Sequence, residues 1–170
     1  MTLAEEDYAE NGDSKLLVLI KAKHWDEVVA LLDTPFGRDM VAVPDVFNNL
    51  PLHVAIGYQA PDNLILRILH MHPQAVRVHG TDEWLPLHIA SMWGVSFRVM
   101  EALIRAYPAA LDDRGEGGVK GRTPRYFALR FPHNKALLER STDEWNRLVA
   151  QNVRKVDFGP CGMNKRIKAC

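Results

Sequence analysis

The chain has 170 residues, 47% of them hydrophobic, and a formal net charge of zero. That length fits one domain with a packed core, and the charge balance excludes bulk attraction to nucleic acid or an anionic membrane. No apolar run approaches the roughly 20 residues of a membrane helix. Both cysteines, Cys161 and Cys170, lie close together at the C-terminal end, where they cannot staple a fold. No basic stretch followed by an apolar run opens the sequence, so a secretory signal is not expected. The expected setting is reducing and intracellular, cytoplasmic or nuclear.

Residues 1–14 carry Glu5, Glu6, Asp7, Glu10 and Asp13 without a base before Lys15, and read as a disordered acidic tail. Residues 15–32 are apolar at helical spacing through Leu16, Leu19, Ile20, Val28, Val29 and Leu32, as one helix or as two broken near Lys23-His24. Pro35 and Gly37 are expected to end this segment. Residues 38–49 then read as a loop, extended near Val41, and Asn48 suits a left-handed turn.

The next stretch occurs twice. Leu50-Pro51-Leu52-His53-Val54-Ala55 returns thirty-five residues later as Leu85-Pro86-Leu87-His88-Ile89-Ala90. Recurrence at such a period is the signature of stacked repeats. Proline at the first helical position is tolerated because its missing N–H would be unpaired there. Each copy is followed by a second apolar run, beginning near Leu64 and Val99. Each run is stopped by a proline and small apolar residues, His72-Pro73-Gln74-Ala75-Val76 and Tyr107-Pro108-Ala109-Ala110-Leu111. A unit therefore reads helix, helix, extended loop. Asp62 or Asn63 and Ser96 are the expected N-caps of the second helices.

Residues 112–121 form a Gly-rich charged loop, and Thr123-Pro124 opens a weaker copy with Tyr126 in the histidine position. Pro132 separates its helices, and Asn134 is the expected cap of residues 135–140. Ser141-Thr142-Asp143-Glu144 fits a capping box. Trp145, Leu148 and Val149 are expected to face the last unit. Residues 157–170 read as a flexible tail with a basic end.

These features resemble the ankyrin repeat family, in a divergent Leu-Pro-Leu-His form. The resemblance rests on Pro51, Leu52, His53, Pro86, Leu87, His88, the inter-helix Gly94, and Thr123-Pro124. It implies an all-α solenoid of helix-turn-helix units with hairpin loops, at about 15–48, 49–83, 84–121 and 122–140. Residues 141–156 then form a C-terminal capping helix, since stacked repeats need a terminal element over the exposed core edge. The resemblance also implies a structural role for both histidines, tying neighbouring units. The family threonine is Leu50 and Leu85 here, which leaves the helix cap to Asn49 or to no residue.

Chemical motifs are absent or misplaced. His70 and His72 do not share a helical face, and no His-Glu-x-x-His or Cys-x-x-Cys is present, so no metal site is expected. Residues 115–123 lack the Gly-Lys-Thr order of a phosphate loop. Asp157-Phe158-Gly159 stands without any other kinase element. Neither an enzyme nor a cofactor is expected. The competing readings are a metal-dependent site through His70, His72, His79 or Cys161, and nucleic-acid binding through Arg154, Lys155, Lys165, Arg166 and Lys168.

The family resemblance places binding on the hairpin tips and the inner face of the first helices. Carried over position by position, it nominates Val46, Phe47, Asn49 and Tyr58, then Trp84, Met92 and Trp93, then Lys120, Arg122 and Arg130. Aromatic, Met and Arg residues dominate the energetic centres of interfaces. The alternative for Trp84 and Trp93 is that they fill gaps between units. The expected function is a non-catalytic, monomeric adaptor or scaffold that binds another protein.

Overall fold

The computed structural model describes residues 12–115 and 121–157. The fold is all-α, and no strand occurs among the described residues. The helices are α1 (Lys15–Lys21), α2 (Trp25–Asp33), α3 (Pro35–Met40), α4 (Pro51–Gly57), α5 (Asp62–Met71), α6 (Pro86–Trp93), α7 (Phe97–Ala106), α8 (Pro132–Glu139) and α9 (Thr142–Asp157). Short 3-10 helices occupy Pro73–Arg77, Thr81–Glu83, Pro108–Asp112 and Pro124–Arg130.

Two rows of helices pack side by side in chain order. In the first row α1 touches α4, α4 touches α6, and α6 touches Pro124–Arg130. In the second row α5 touches α7 and α7 touches α8. The core lies between the rows and runs from Leu16, Leu17 and Ile20 through Leu52, Ile56, Ile65 and Ile68 to Leu103, Ile104, Leu138 and Trp145. Each pair alone would leave an apolar face in water, so burial couples every pair to its neighbours.

The same turn joins the two helices in three successive pairs. A left-handed residue stands at Lys23, Gln59 and Gly94, with φ of 60°, 58° and 69°. The following amide bonds five residues back in each: His24 N–H to Leu19, Ala60 N–H to Ala55, Val95 N–H to Ala90. This closes the orphan carbonyls of a short helix. Segment 15–32 is thus two helices. The break needs no glycine, because the closing bonds hold Lys23 and Gln59 in a conformation that costs a side chain roughly 1 kcal/mol.

Several local expectations are corrected. Pro35 follows the end of α2 at Asp33, as expected, but it also starts a further helix: Thr34 Oγ1 accepts the Gly37 N–H at 3.0 Å, with proline at the first position. Residues 35–40 are therefore helical where a loop was expected from 38. Neither Asp62 nor Asn63 caps α5, whose cap residue is Pro61 with no side-chain bond. Asn134 does not cap a helix from 135, since α8 begins at Pro132. Its amide is buried inside the first turn and donates to the Val95 carbonyl at 2.6 Å, while its Oδ1 has no partner among the described residues. Ser96 does cap α7, accepting from Val99 N–H at 3.3 Å. The capping box at α9 also forms: Ser141 N–H donates to Glu144 at 2.9 Å, and Glu144 N–H to Ser141 Oγ at 3.2 Å.

Candidate partner-binding surface

The first helices of the two middle pairs start at Pro51 and Pro86, and the histidine two residues on fixes each start. Leu50 N–H donates to His53 Nδ1 at 3.2 Å, and Leu85 N–H to His88 Nδ1 at 3.1 Å. Since Nδ1 accepts, Nε2 carries the proton and donates onward. His53 reaches the Val78 carbonyl at 2.9 Å and His88 the Asp113 carbonyl at 3.1 Å. Asn49 makes no cap bond to these helix starts. Burial lowers the basicity of both rings, that of His53 to a pKa of about 4, so they are neutral near pH 7.

Before each of these helices the chain makes a closed tip. Asp45 N–H bonds the Asn49 carbonyl, and Gly80 N–H bonds the Trp84 carbonyl. In the first tip Asp45 Oδ1 accepts from Phe47 N–H and Asn49 N–H, both at 2.9 Å, and Asn48 takes φ of 63°. Burial raises the Asp45 pKa, but the donated hydrogen bonds and the Lys21 ammonium at 3.5 Å outweigh it and hold the carboxyl below its usual range. Lys21 also pairs with Asp13 at 2.8 Å. In the second tip Asp82 and Glu83 both have positive φ and are exposed.

The tips are tied to one another. Asn48 Nδ2 donates to the His79 carbonyl at 2.7 Å, Asn49 Nδ2 to Thr81 Oγ1 at 2.8 Å, and Thr81 N–H to Asn49 Oδ1 at 2.9 Å. His79 Nε2 lies 3.3 Å from Asp113 Oδ2 in the following segment. The tips therefore form one row along the ends of the first helices.

The nominated residues separate on this framework. Val46 and Phe47 stand out from the first tip at 70% and 66% exposure, and Tyr58 and Trp93 are exposed at the far ends of α4 and α6. Met92 is half-buried, and Arg122 and Arg130 are exposed. Asn49 is spent on Asp45 and Thr81, so its polar groups serve the tips. Trp84 is half-buried, stacked on His88 with centroids 6.0 Å apart and edge-on to Phe127 at 6.1 Å, which is the gap-filling arrangement. Lys120 lies outside the described residues.

Sequence reasoning missed exposed Tyr126, over which the Arg122 guanidinium sits at 4.7 Å. It also missed the Asp45 cage, although an Asp side chain that bonds the backbone N–H two residues on is a turn signal. Among the described residues no group of three or more His, Cys, Asp or Glu is placed to hold a metal ion. No helix there is long and apolar enough to cross a membrane. Cys161, Lys165, Arg166 and Lys168 lie outside the described residues.

No family model matches the chain, and no curated protein matches it.

Proposed function

We propose that the chain is an ankyrin-like repeat solenoid, closed at its C-terminal end by α9, that acts without catalysis as a monomeric adaptor or scaffold. Its partner is another protein, held on the tips and the first-helix face. The stacked pairs with recurrent turns and the two histidine ties support the repeat reading.

One observation carries the functional reading. The helices α4 and α6 contain no charged residue, whereas α5 and α7 carry Asp62, Arg67, Arg98, Glu101 and Arg105. Tyr58 and Trp93 nevertheless remain exposed at the far ends of the uncharged pair, and Val46 and Phe47 stand out from the braced tip that precedes α4. Leaving such side chains in water forgoes roughly 1.5–3 kcal/mol each, which a partner surface recovers.

The test is a pull-down from native lysate with wild type and a Phe47→Ser/Trp93→Ser variant whose helicity is verified by circular dichroism. Loss of one protein with the folded variant supports the reading. Retrieval of the same proteins by both overturns the assigned surface. A Trp84→Phe variant, altered beneath the surface, is expected to retain the partner.

A further inference from the structure

Resting on that reading for the partner being a protein, we propose that the cleft between the α4–α5 turn and the α6–α7 turn receives an arginine side chain of the partner. Its guanidinium pairs with Asp62 and lies on the ring of Trp93.

The two turns are neighbours because α4 packs on α6 and α5 on α7. Gln59 and Gly94 hold left-handed conformations in them. Asp62 is the first residue of α5, and Trp93 is the last of α6. Both line one cleft of about 250 Å³, together with Gln59, Ile65 and Val95. Pockets that enclose a whole small-molecule ligand run to roughly 300–1,000 Å³, so this one suits a single side chain.

Asp62 is half-buried, and among the described residues no base lies within ion-pair distance of it. The other carboxylates drawn out of water have one nearby: Asp13 and Asp45 share Lys21, Asp113 lies beside His79, and Glu101 holds Arg105. Carboxylates without a base at Asp26, Asp39, Asp82, Glu83 and Asp143 are exposed. A carboxylate taken partly out of water loses hydration that only a cation or hydrogen-bond donors restore. The dipole of α5 favours a negative charge in its first turn. However, α7, the equivalent helix of the next pair, starts without an acid, so the fold does not require one.

Trp93 is exposed, whereas Trp25 and Trp84 are half-buried and Trp145 is buried. Guanidinium groups lie over the rings of Tyr107, Tyr126, Phe131 and Trp145, and Trp84 is stacked on His88. Among the described residues neither a cation nor a second ring lies on Trp93. Indole is the strongest aromatic partner for a cation. A guanidinium serves both groups at once, because its flat face lies on the ring while its fork gives a carboxylate two hydrogen bonds. The lysine ammonium is a strongly hydrated point charge and does neither as well. A divalent metal ion needs several oxygen ligands, and among the described residues Asp62 is the one carboxylate lining the cleft.

The experiment titrates a blocked Gly-Arg-Gly peptide, and its lysine and citrulline counterparts, into the nitrogen-labelled full chain. The tryptophan indole N–H signals are followed by NMR, and a Trp93→Phe variant assigns the Trp93 signal. The arginine peptide should shift that signal saturably and leave buried Trp145 in place. Asp62→Asn should weaken binding at least about tenfold, the scale of losing one partner of a hydrogen-bonded charge pair. The lysine peptide and the flat but uncharged citrulline peptide should both bind more weakly than the arginine peptide. Asp62→Asn should also reduce the protein retained from lysate. Helicity is checked by circular dichroism, and Asp62→Ser gives the same comparison should Asp62→Asn alter it.

No saturable shift at Trp93, unchanged affinity in both Asp62 variants, or equal binding of the lysine or citrulline peptide overturns the inference. If the folded Phe47→Ser/Trp93→Ser variant still loses a protein from lysate, the partner-binding surface stands without the arginine cleft.

Discussion

His53 reaches past its own helix to the carbonyl of Val78, 25 residues along the chain, at 2.9 Å. The other ring nitrogen accepts the Leu50 N–H at 3.2 Å. The bond from Leu50 requires the neutral ring, because protonation would turn Nδ1 from acceptor to donor, whereas the Nε2–H bond to Val78 survives protonation. Burial, first of all, brings the His53 pKa from 6.5 to about 4. The unfolded chain therefore binds more protons between these values, so stability is flat above about pH 7 and falls as pH drops through that window. For His53 the loss is on the order of 3 kcal/mol by about pH 4. His88 acts in the same direction. Urea unfolding from about pH 7 to pH 5 should show the midpoint declining, and His53→Gln should flatten the slope. A midpoint constant over this range would refute the neutral-clamp account.

Gly94 and Gly57 predict opposite outcomes for the same substitution. Gly94 has φ of +69°, and a Cβ there would lie 2.4 Å from the Phe131 ring. Gly94→Ala should therefore cost about 2 kcal/mol or more, from left-handed strain and displacement of Phe131. At Gly57 a Cβ would make an ordinary contact, 3.9 Å from Ile89. Gly57→Ala should be neutral or stabilise by up to about 1 kcal/mol. Chemical denaturation of the two variants decides this, and equal midpoints would contradict it.

Asp45 holds the first tip through its acceptor oxygens. Asp45→Ala removes the partners of two backbone N–H groups and of Asn49, and should destabilise by about 1–3 kcal/mol. Asp45→Asn keeps one carbonyl oxygen for those donors and should retain part of that stability while losing the Lys21 pair. Hydrogen exchange at the Phe47 and Asn49 amides is the direct readout. Protection unchanged in the alanine variant would show that the cage does not hold the tip.

The last helix is bound by one aromatic and one cation. Trp145 is fully buried, donates Nε1–H to the Leu137 carbonyl at 3.1 Å, and has the guanidinium groups of Arg105 and Arg140 over its ring at 5.6 and 5.1 Å. Arg125 bonds the carbonyls of Leu138 and Arg140 and the hydroxyl of Thr142, joining the end of α8 to the start of α9. Trp145→Ala should cost about 3–5 kcal/mol. Arg125→Lys should fail to restore what Arg125→Ala loses, because one ammonium cannot span three acceptors. Faster proteolysis within α9 in both Arg125 variants is expected, and a lysine variant as resistant as wild type would contradict the clamp.

What the sequence by itself determined was local or periodic. Pro-Leu-His, recurring thirty-five residues on, marked where two buried helices begin. Ser96 and the Ser141–Glu144 box marked two helix starts, because a cap is satisfied within three residues. Phe47, Tyr58 and Trp93 were nominated only through the family resemblance, position by position, and all three are exposed. Only the tertiary structure decided the rest. Trp84 turned inward onto His88 and Phe127, and Asn49 was spent on Thr81, 32 residues away. Asn134 was buried against Val95, 39 residues away, and no local pattern announces such a partner. Lys23 and Gln59 took glycine-like turns because closing hydrogen bonds and packing outweighed their own backbone preference. A side chain's type is written in the sequence, but whether it meets a neighbouring helix or water is set by residues far along the chain.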